Sequence, residues 1–172
     1  HLGLVMKIDE DGSRRKLSKR KDPEAAVEYY HKLGIPIEAV KLYLLTIANS
    51  NFEAWYDTNK GVDTSKFKLD FKKISASGTL FDIEKLNNIS KNYISRLTAK
   101  EVYDGLLTWT NEFDKDFYDL LVKYDEYSIN VLNIERERKK TRKDYGSYSE
   151  IKKNIWYMYD ELFNDSVYNN VE

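Results

Sequence analysis

The sequence predicts a mainly α-helical fold with a small β-hairpin at its N-terminus. The 172 residues include only 7 glycines and 2 prolines, whereas sandwiches, barrels and doubly wound sheets need many turns built from these residues. Beyond residue 22, apolar residues recur mostly at helical spacing. The length suffices for one domain of ordinary size or for two small helical domains.

The first element is the hairpin. Apolar side chains alternate along its first arm, at Leu2, Leu4, Met6 and Ile8. A period of two is typical of a strand with one buried face. Asp11–Gly12 follows, a dipeptide that favours a tight hairpin turn, and the second arm leads to Lys16.

Cap residues mark the first two helices. Asp22 is the predicted N-cap of the first, because its carboxylate can accept from the first-turn amides and Pro23 fits the first helical position. Gly34 is suited to the position just past its end. Pro36 then opens an almost wholly apolar helix that we expect at the centre of a core. Residues 67–71 are compatible with either a strand or a short helix.

Later helices are marked by further caps. Asp82 is the predicted N-cap of one helix, and two capping boxes follow, Thr98 with Glu101 and Ser147 with Glu150. A hydroxyl residue followed by Glu three positions later typically begins a helix. We expect a domain boundary near Thr98.

Composition excludes several classes of site. Cysteine is absent and the only histidines are His1 and His31, so thiol catalysis, disulfides and thiolate metal sites are ruled out. We expect no metal site. No apolar run approaches the roughly 20 residues of a membrane span, and no signal-peptide segment is visible. We therefore expect a cytoplasmic protein without a membrane partner.

Positive charge is concentrated in two short segments, although the net charge is only -1. Six of the eight residues 14–21 are cationic, namely Arg14, Arg15, Lys16, Lys19, Arg20 and Lys21. Six of the eight residues 136–143 are also cationic, namely Arg136, Arg138, Lys139, Lys140, Arg142 and Lys143. Such clusters are candidates for contacts with polyanions.

The first basic segment contains Lys16-Leu17-Ser18-Lys19-Arg20, between the hairpin and the capped helix. This motif resembles the Lys-Met-Ser-Lys-Ser signature of class I aminoacyl-tRNA synthetases. The variant is the one typical of the glutamyl-tRNA synthetase family. In that family the signature also follows a strand and an Asp-Gly turn.

A second motif strengthens the resemblance. Residues 74–86 read Ile-Ser-Ala-Ser-Gly-Thr-Leu-Phe-Asp-Ile-Glu-Lys-Leu and resemble the family element ending in Phe-Asp-x-Glu-Lys-Leu, in the family's order and near its spacing. The resemblance covers residues 1–97 well and residues 98–172 more loosely. In the later part, Arg142-Lys143-Asp144 resembles a clostridial-type glutamyl/glutaminyl branch.

The resemblance implies activation of glutamate by ATP, followed by transfer to tRNA. It assigns catalytic roles to Lys16, Ser18 and Lys19, and contacts with the ATP phosphates to Lys19 and Arg20. Cations brought onto phosphoryl oxygens stabilise the charge that builds up during phosphoryl chemistry. ATP, with magnesium in the full-length enzyme, is the implied cofactor, and we expect a monomer.

The resemblance also implies three segments. Residues 1–21 correspond to the end of a class I catalytic domain with the signature loop, 22–97 to a helical stem-contact module, and 98–172 to the first part of a helical anticodon-binding domain. No counterpart of the family's ATP-binding half, with its His-Ile-Gly-His-type motif, is present. We therefore expect a non-catalytic fragment of a glutamate–tRNA ligase. A fragment of the glutaminyl enzyme and a helical RNA-binding module without ligase activity are the alternatives.

The second basic segment has two interpretations, a solvated loop between helices and a contact with the tRNA backbone. Cations without bulky apolar neighbours suit a sugar-phosphate track better than base recognition. The predicted tRNA contacts are Arg136, Arg138, Lys139, Lys140, Arg142 and Lys143.

Overall fold

The computed structural model describes residues 3–74, 78–136, 138–139 and 141–163. It confirms the predicted class, mainly α with a small β element. The strands are β1 (Val5–Ile8), β2 (Arg14–Lys16) and β3 (Thr79–Leu80). The helices are α1 (Val27–Leu33), α2 (Ile37–Ala48), α3 (Phe52–Thr58), α4 (Ile83–Ile94), α5 (Ala99–Phe113), α6 (Lys115–Lys123), α7 (Asp125–Leu132) and α8 (Tyr148–Ile155).

The described residues fall into two compact units. Within the described ranges, one unit comprises the residues up to Tyr30 together with those of Ile37–Ile89, and the other comprises His31–Pro36 together with the residues from Ser90 onward.

The sheet of the first unit has the order β2-β1-β3. Strands β1 and β2 form the expected antiparallel hairpin, with Met6 opposite Lys16. Strand β3 was not predicted and pairs parallel to β1, with Val5 opposite Thr79. Its two residues are too few to show any alternation along the sequence. Gly78 enters this strand at φ +87°, where a Cβ would lie 2.7 Å from the Leu4 carbonyl oxygen.

Helix α2 forms the core of the first unit, as its apolar sequence predicted. Its buried side chains are Ala39, Val40, Leu42 and Tyr43. The Tyr43 hydroxyl accepts the Asp82 backbone N–H at 2.7 Å, and its ring meets Phe81 edge-on. Of the ambiguous residues 67–71, residues 67–70 form neither a strand nor a helix and lie between two single 3₁₀ turns, Thr64–Lys66 and Phe71–Lys73, the second of which begins at Phe71.

Helices α5 to α8 surround the core of the second unit. Fully buried side chains at its centre include Val102, Leu106, Leu121 and Ile151. The capping box of Thr98 and Glu101 is present with both of its hydrogen bonds. Gly105, in the middle of α5, lies directly under Tyr148, whose hydroxyl oxygen would be 2.0 Å from an added Cβ.

The predicted capping box at Ser147 is wrong. The Ser147 side chain makes no cap hydrogen bond, and its hydroxyl instead pairs with the Ser149 hydroxyl at 2.9 Å. The Glu150 carboxylate accepts the N–H of Gly146, one residue before the position a capping box requires. The start of α8 is therefore held by a different set of bonds from those the motif implies.

The predicted N-cap role of Asp22 is also wrong. Residues Pro23–Ala25 form a 3₁₀ turn, to which the Asp22 side chain makes no cap hydrogen bond, and α1 begins only at Val27. The carboxylate points instead toward the hairpin and the loop before it, as described below.

Candidate phosphate-binding loop and basic segments

Residues 17–21 connect β2 to the 3₁₀ turn and contain the core of the signature. The Leu17 N–H donates to the Val5 carbonyl at 2.9 Å, which extends the hairpin pairing beyond Lys16. The backbone N–H groups of Lys21 and Asp22 both donate to the Ser18 carbonyl, at 3.1 and 2.8 Å. The loop is therefore a single closed turn on the end of the sheet.

The Asp22 carboxylate organises this loop from inside, since the residue is only 1% exposed. Two nitrogens of the Arg15 guanidinium donate to its two oxygens, at 2.6 and 2.8 Å. The Ser18 N–H donates to it at 2.8 Å and Lys7 at 3.3 Å. These donors, Arg15 above all, hold the pKa of Asp22 well below its usual range.

Sequence reasoning missed this role of Asp22. The available signal was an acidic residue four positions after the signature serine, with Arg15 in the strand before the loop. Arg15 binds two carboxylates, because in addition to its hydrogen bonds with Asp22 its Nε donates to the Asp9 carboxylate, at 2.7 and 2.9 Å from the two oxygens. These hydrogen bonds raise the pKa of Arg15, and its charge is compensated within the hairpin.

The cations of the signature itself are exposed. Lys16, Lys19 and Arg20 have side chains without a hydrogen bond or ion pair to any residue of the described ranges. The Arg20 backbone N–H donates to the Ser18 hydroxyl at 3.4 Å. An open cleft of about 660 Å³ is lined by Val5, Lys16, Leu17, Ser18, Lys19, Arg20 and Ala25. The four predicted residues Lys16, Ser18, Lys19 and Arg20 thus share one positively charged cleft, which suits a polyphosphate.

The second basic segment is less uniform than its sequence. The Arg136 guanidinium turns inward and donates to the carbonyls of Leu132, Ile94 and Leu97, at 3.0, 2.8 and 2.9 Å. Burial lowers the pKa of Arg136. The Arg136 side chain thus binds backbone carbonyls of its own unit, and these hydrogen bonds stabilise that unit.

Two other arginines of this segment have acidic partners. Arg138 pairs with Glu135 at 3.3 Å, and Arg142 pairs with Glu135 and with Asp144, at 3.6 and 3.0 Å. Lys139 and Lys143 are exposed and have no ion-pair partner within the part of the chain that the structure describes. Lys140 lies outside the described residues, as do Ser75, Ala76 and Ser77 of the second motif.

His31 contacts a glutamate and an aromatic ring. Its Nε2 lies 2.9 Å from a Glu112 carboxylate oxygen on an exposed surface, and its ring packs edge-on against Phe113. The described residues include no group of three or more His, Cys, Asp or Glu that could hold a metal ion. Among these same residues, no helix has the length and apolar character needed to cross a membrane.

Comparisons with known proteins find glutamate–tRNA ligases that are similar to this chain. A glutamate–tRNA ligase of Clostridium perfringens is 44% identical over all 172 residues. The chain is homologous to the glutamate–tRNA ligases along its whole length. The ligase of Acetivibrio thermocellus is 44% identical over 163 residues, and that of Sorangium cellulosum is 40% identical over 151. These matches confirm the predicted resemblance and do not favour the glutaminyl alternative.

The homologous glutamate–tRNA ligases are much longer than this chain. The alignments cover 100%, 95% and 88% of the chain but only 31%, 30% and 26% of these ligases. The chain thus spans between a quarter and a third of the length of these relatives. No protein-family profile matches it, and no solved structure matches it either.

Proposed function

We propose that this chain is the part of a glutamate–tRNA ligase that brings cations to the phosphates of ATP and contacts tRNA. In this proposal it does not catalyse the reaction alone. The observation that carries it is the cleft at residues 16–20. There, three cationic side chains without an ion-pair partner among the described residues lie at the end of β2 and on the following loop, whose base is fixed by a buried carboxylate. Such an arrangement leaves charge available for a ligand.

The proposed chemistry is attack of the glutamate carboxylate on the α-phosphate of ATP, with pyrophosphate as the leaving group. Negative charge grows on the phosphoryl oxygens and on the departing pyrophosphate during this step. Lys19 would neutralise this charge, with Lys16 beside it and the Ser18 hydroxyl as a further polar contact. The planar guanidinium of Arg20 suits two oxygens of one phosphate. ATP would arrive as its magnesium complex.

The second motif supports the proposal through its position. Thr79 donates its N–H to the Leu4 carbonyl at 3.0 Å, and Phe81 donates to the Met6 carbonyl at 2.8 Å. The element that ends in Phe-Asp-x-Glu-Lys-Leu therefore lies against the strand that supports the signature loop. The two motifs that carry the resemblance belong to one small sheet.

For tRNA, we propose that the second basic segment contacts the sugar-phosphate backbone. The exposed lysines Lys139 and Lys143 are the main described contacts, and Lys140 belongs to the same proposal. Arg138 and Arg142 contribute less because Glu135 and Asp144 compensate their charge. Arg136 would act by stabilising the segment rather than by touching phosphate.

We also propose which part of the ligase each of the three segments forms. Residues 1–21 would close the catalytic domain, 22–97 would form the stem-contact module, and 98–172 would begin the anticodon-binding domain. The helical RNA-binding module without ligase activity is less well supported, because the homologous proteins are named as ligases.

The test is glutamate-dependent exchange of pyrophosphate into ATP. We expect the purified chain to show none, because the loop supplies only one side of a phosphate clamp. In the full-length ligase that contains this chain, Lys19→Ala should lower kcat by about 100-fold, as expected for the loss of one charged transition-state donor. The KM for glutamate should change less. Exchange by the isolated chain, or an unchanged kcat in the Lys19 variant, would contradict the proposal.

A further inference from the structure

Asp22 and Ser18 are joined by a reciprocal pair of hydrogen bonds. The Ser18 N–H donates to the Asp22 carboxylate at 2.8 Å, and the Asp22 N–H donates to the Ser18 carbonyl at 2.8 Å. Both peptide groups that flank the Ser18 Cα are therefore held by one residue. Because Lys19 follows directly, the direction in which it leaves the turn is fixed by the same two bonds.

The carboxylate is itself held in place by the hairpin. Arg15 binds both of its oxygens and also binds Asp9 near the hairpin turn, while Lys7 on β1 bridges Asp22 and Glu24. A buried carboxylate is tolerated only when such partners compensate its charge. The hairpin, the loop and the start of the 3₁₀ turn are thus connected through a single ionised group.

We propose that Asp22 is a positioning residue for the phosphate chemistry, which acts through Ser18 to direct Lys19 into the cleft. This inference rests on the proposed function. It divides the basic residues of the first segment by task, because Arg15 neutralises the buried carboxylate while Lys16, Lys19 and Arg20 stay available for phosphate. Misplacement of a charged donor by about 1 Å can cost on the order of 100-fold in rate.

The experiment uses the full-length ligase and the variants Asp22→Asn, Lys19→Ala and the double variant. Exchange rates are expressed per active site, so that a loss of folded enzyme does not count as a loss of kcat. We expect Asp22→Asn to lower kcat by about 10- to 100-fold, with the KM for glutamate within about 2-fold of wild type. Asp11→Asn is the matched control, since the Asp11 carboxylate accepts a turn N–H from Ser13 without contacting the signature loop.

The double variant separates positioning from a purely structural role. If Asp22 acts by directing Lys19, removal of the Asp22 charge should lower kcat by less than about 2-fold once Lys19 is already alanine. A purely structural effect would instead multiply the effect of Lys19→Ala. Should Asp22→Asn fail to fold, Asp22→Glu decides the question. It keeps the charge but shifts the carboxylate by one methylene, and we expect a similar loss of kcat.

The outcomes distinguish this inference from the proposed function. An impaired Lys19→Ala variant beside Asp22 variants with wild-type kcat would overturn the inference alone, and so would multiplicative losses in the double variant. If Lys19→Ala were itself fully active, the proposed role of the loop would fall, and the positioning role of Asp22 would fall with it.

Discussion

Removal of Lys139 and Lys143, the exposed lysines of the second basic segment that the structure describes, should change how tRNA binding depends on salt. The perturbation is Lys139→Ala with Lys143→Ala in the full-length ligase. Each phosphate neutralised by a protein cation releases condensed counterion, which adds about 0.7 to 0.9 to the slope of log K against log salt. If each lysine contacts one phosphate, the double variant should flatten this slope by about 1.4 to 1.8 units.

The structure limits the expected change to these two lysines among the described cations. Arg136 is bonded to backbone carbonyls, and the charges of Arg138 and Arg142 are shared with Glu135 and Asp144. All six cations of the segment acting together would give a slope contribution of about 4 to 5 units. The pairing seen in the structure therefore predicts a smaller salt dependence than the bare sequence suggests.

The assay is equilibrium tRNA binding at several salt concentrations. A matched control is Lys100→Ala with Lys115→Ala, which makes the same change in net charge at exposed lysines that already pair with Asp104 and Asp119. We expect this control to keep the wild-type slope. Equal slopes for the Lys139/Lys143 variant and wild type would show that the segment only faces solvent, and the tRNA contact would be abandoned.

Three further predictions concern stability. Arg136→Ala should lower the free energy of unfolding by about 2 to 4 kcal/mol, because three carbonyls lose a charged donor; a loss below about 0.5 kcal/mol in urea unfolding would contradict its structural role. Glu161 has a pKa lowered to about 2, mainly by the hydrogen bond that it accepts from Lys123. Its stabilising effect should be complete above pH 4.5, the ordinary value, and should disappear as the pH falls toward 2. In Glu161→Gln this part of the acid-induced loss should be absent from pH-dependent thermal unfolding, and an unchanged acid profile would count against the ion pair. Gly105→Ala should destabilise the fold by about 1 to 3 kcal/mol despite alanine's higher helix propensity, because the new Cβ overlaps Tyr148. A rise in melting temperature would show that Tyr148 moves aside easily.

Three features with local sequence signals were predicted correctly. The turn at Gly12, the cap at Asp82 and the capping box at Thr98 each depend on residues within four positions of one another, and the structure contains all three. In contrast, β3 depends on pairing with a strand far away in the chain. A strand of two residues shows too little alternation of apolar and polar side chains to predict such a contact.

The candidate site was predicted in part for the same reason. Lys16, Ser18, Lys19 and Arg20 are adjacent in the sequence, and their common cleft needs only a short loop. Asp22 has a local pattern typical of an N-cap, yet the charge of Arg15 competes more strongly for its carboxylate than neutral amides do. Likewise, nothing in a run of cations shows that Arg136 finds backbone acceptors at Ile94 and Leu97.

The parallel pairing of β1 with β3 has a consequence for biosynthesis. Val5 and Thr79 are partners although more than 70 residues separate them, so β1 emerges from the ribosome long before its second neighbour exists. Until then the hairpin has an open edge, which can pair with other chains. Contacts between residues so distant along the chain also form slowly, because a long loop must close first. The hairpin under the proposed phosphate loop is thus synthesised first, and β3 completes the sheet only after helices α1 to α3 have been made.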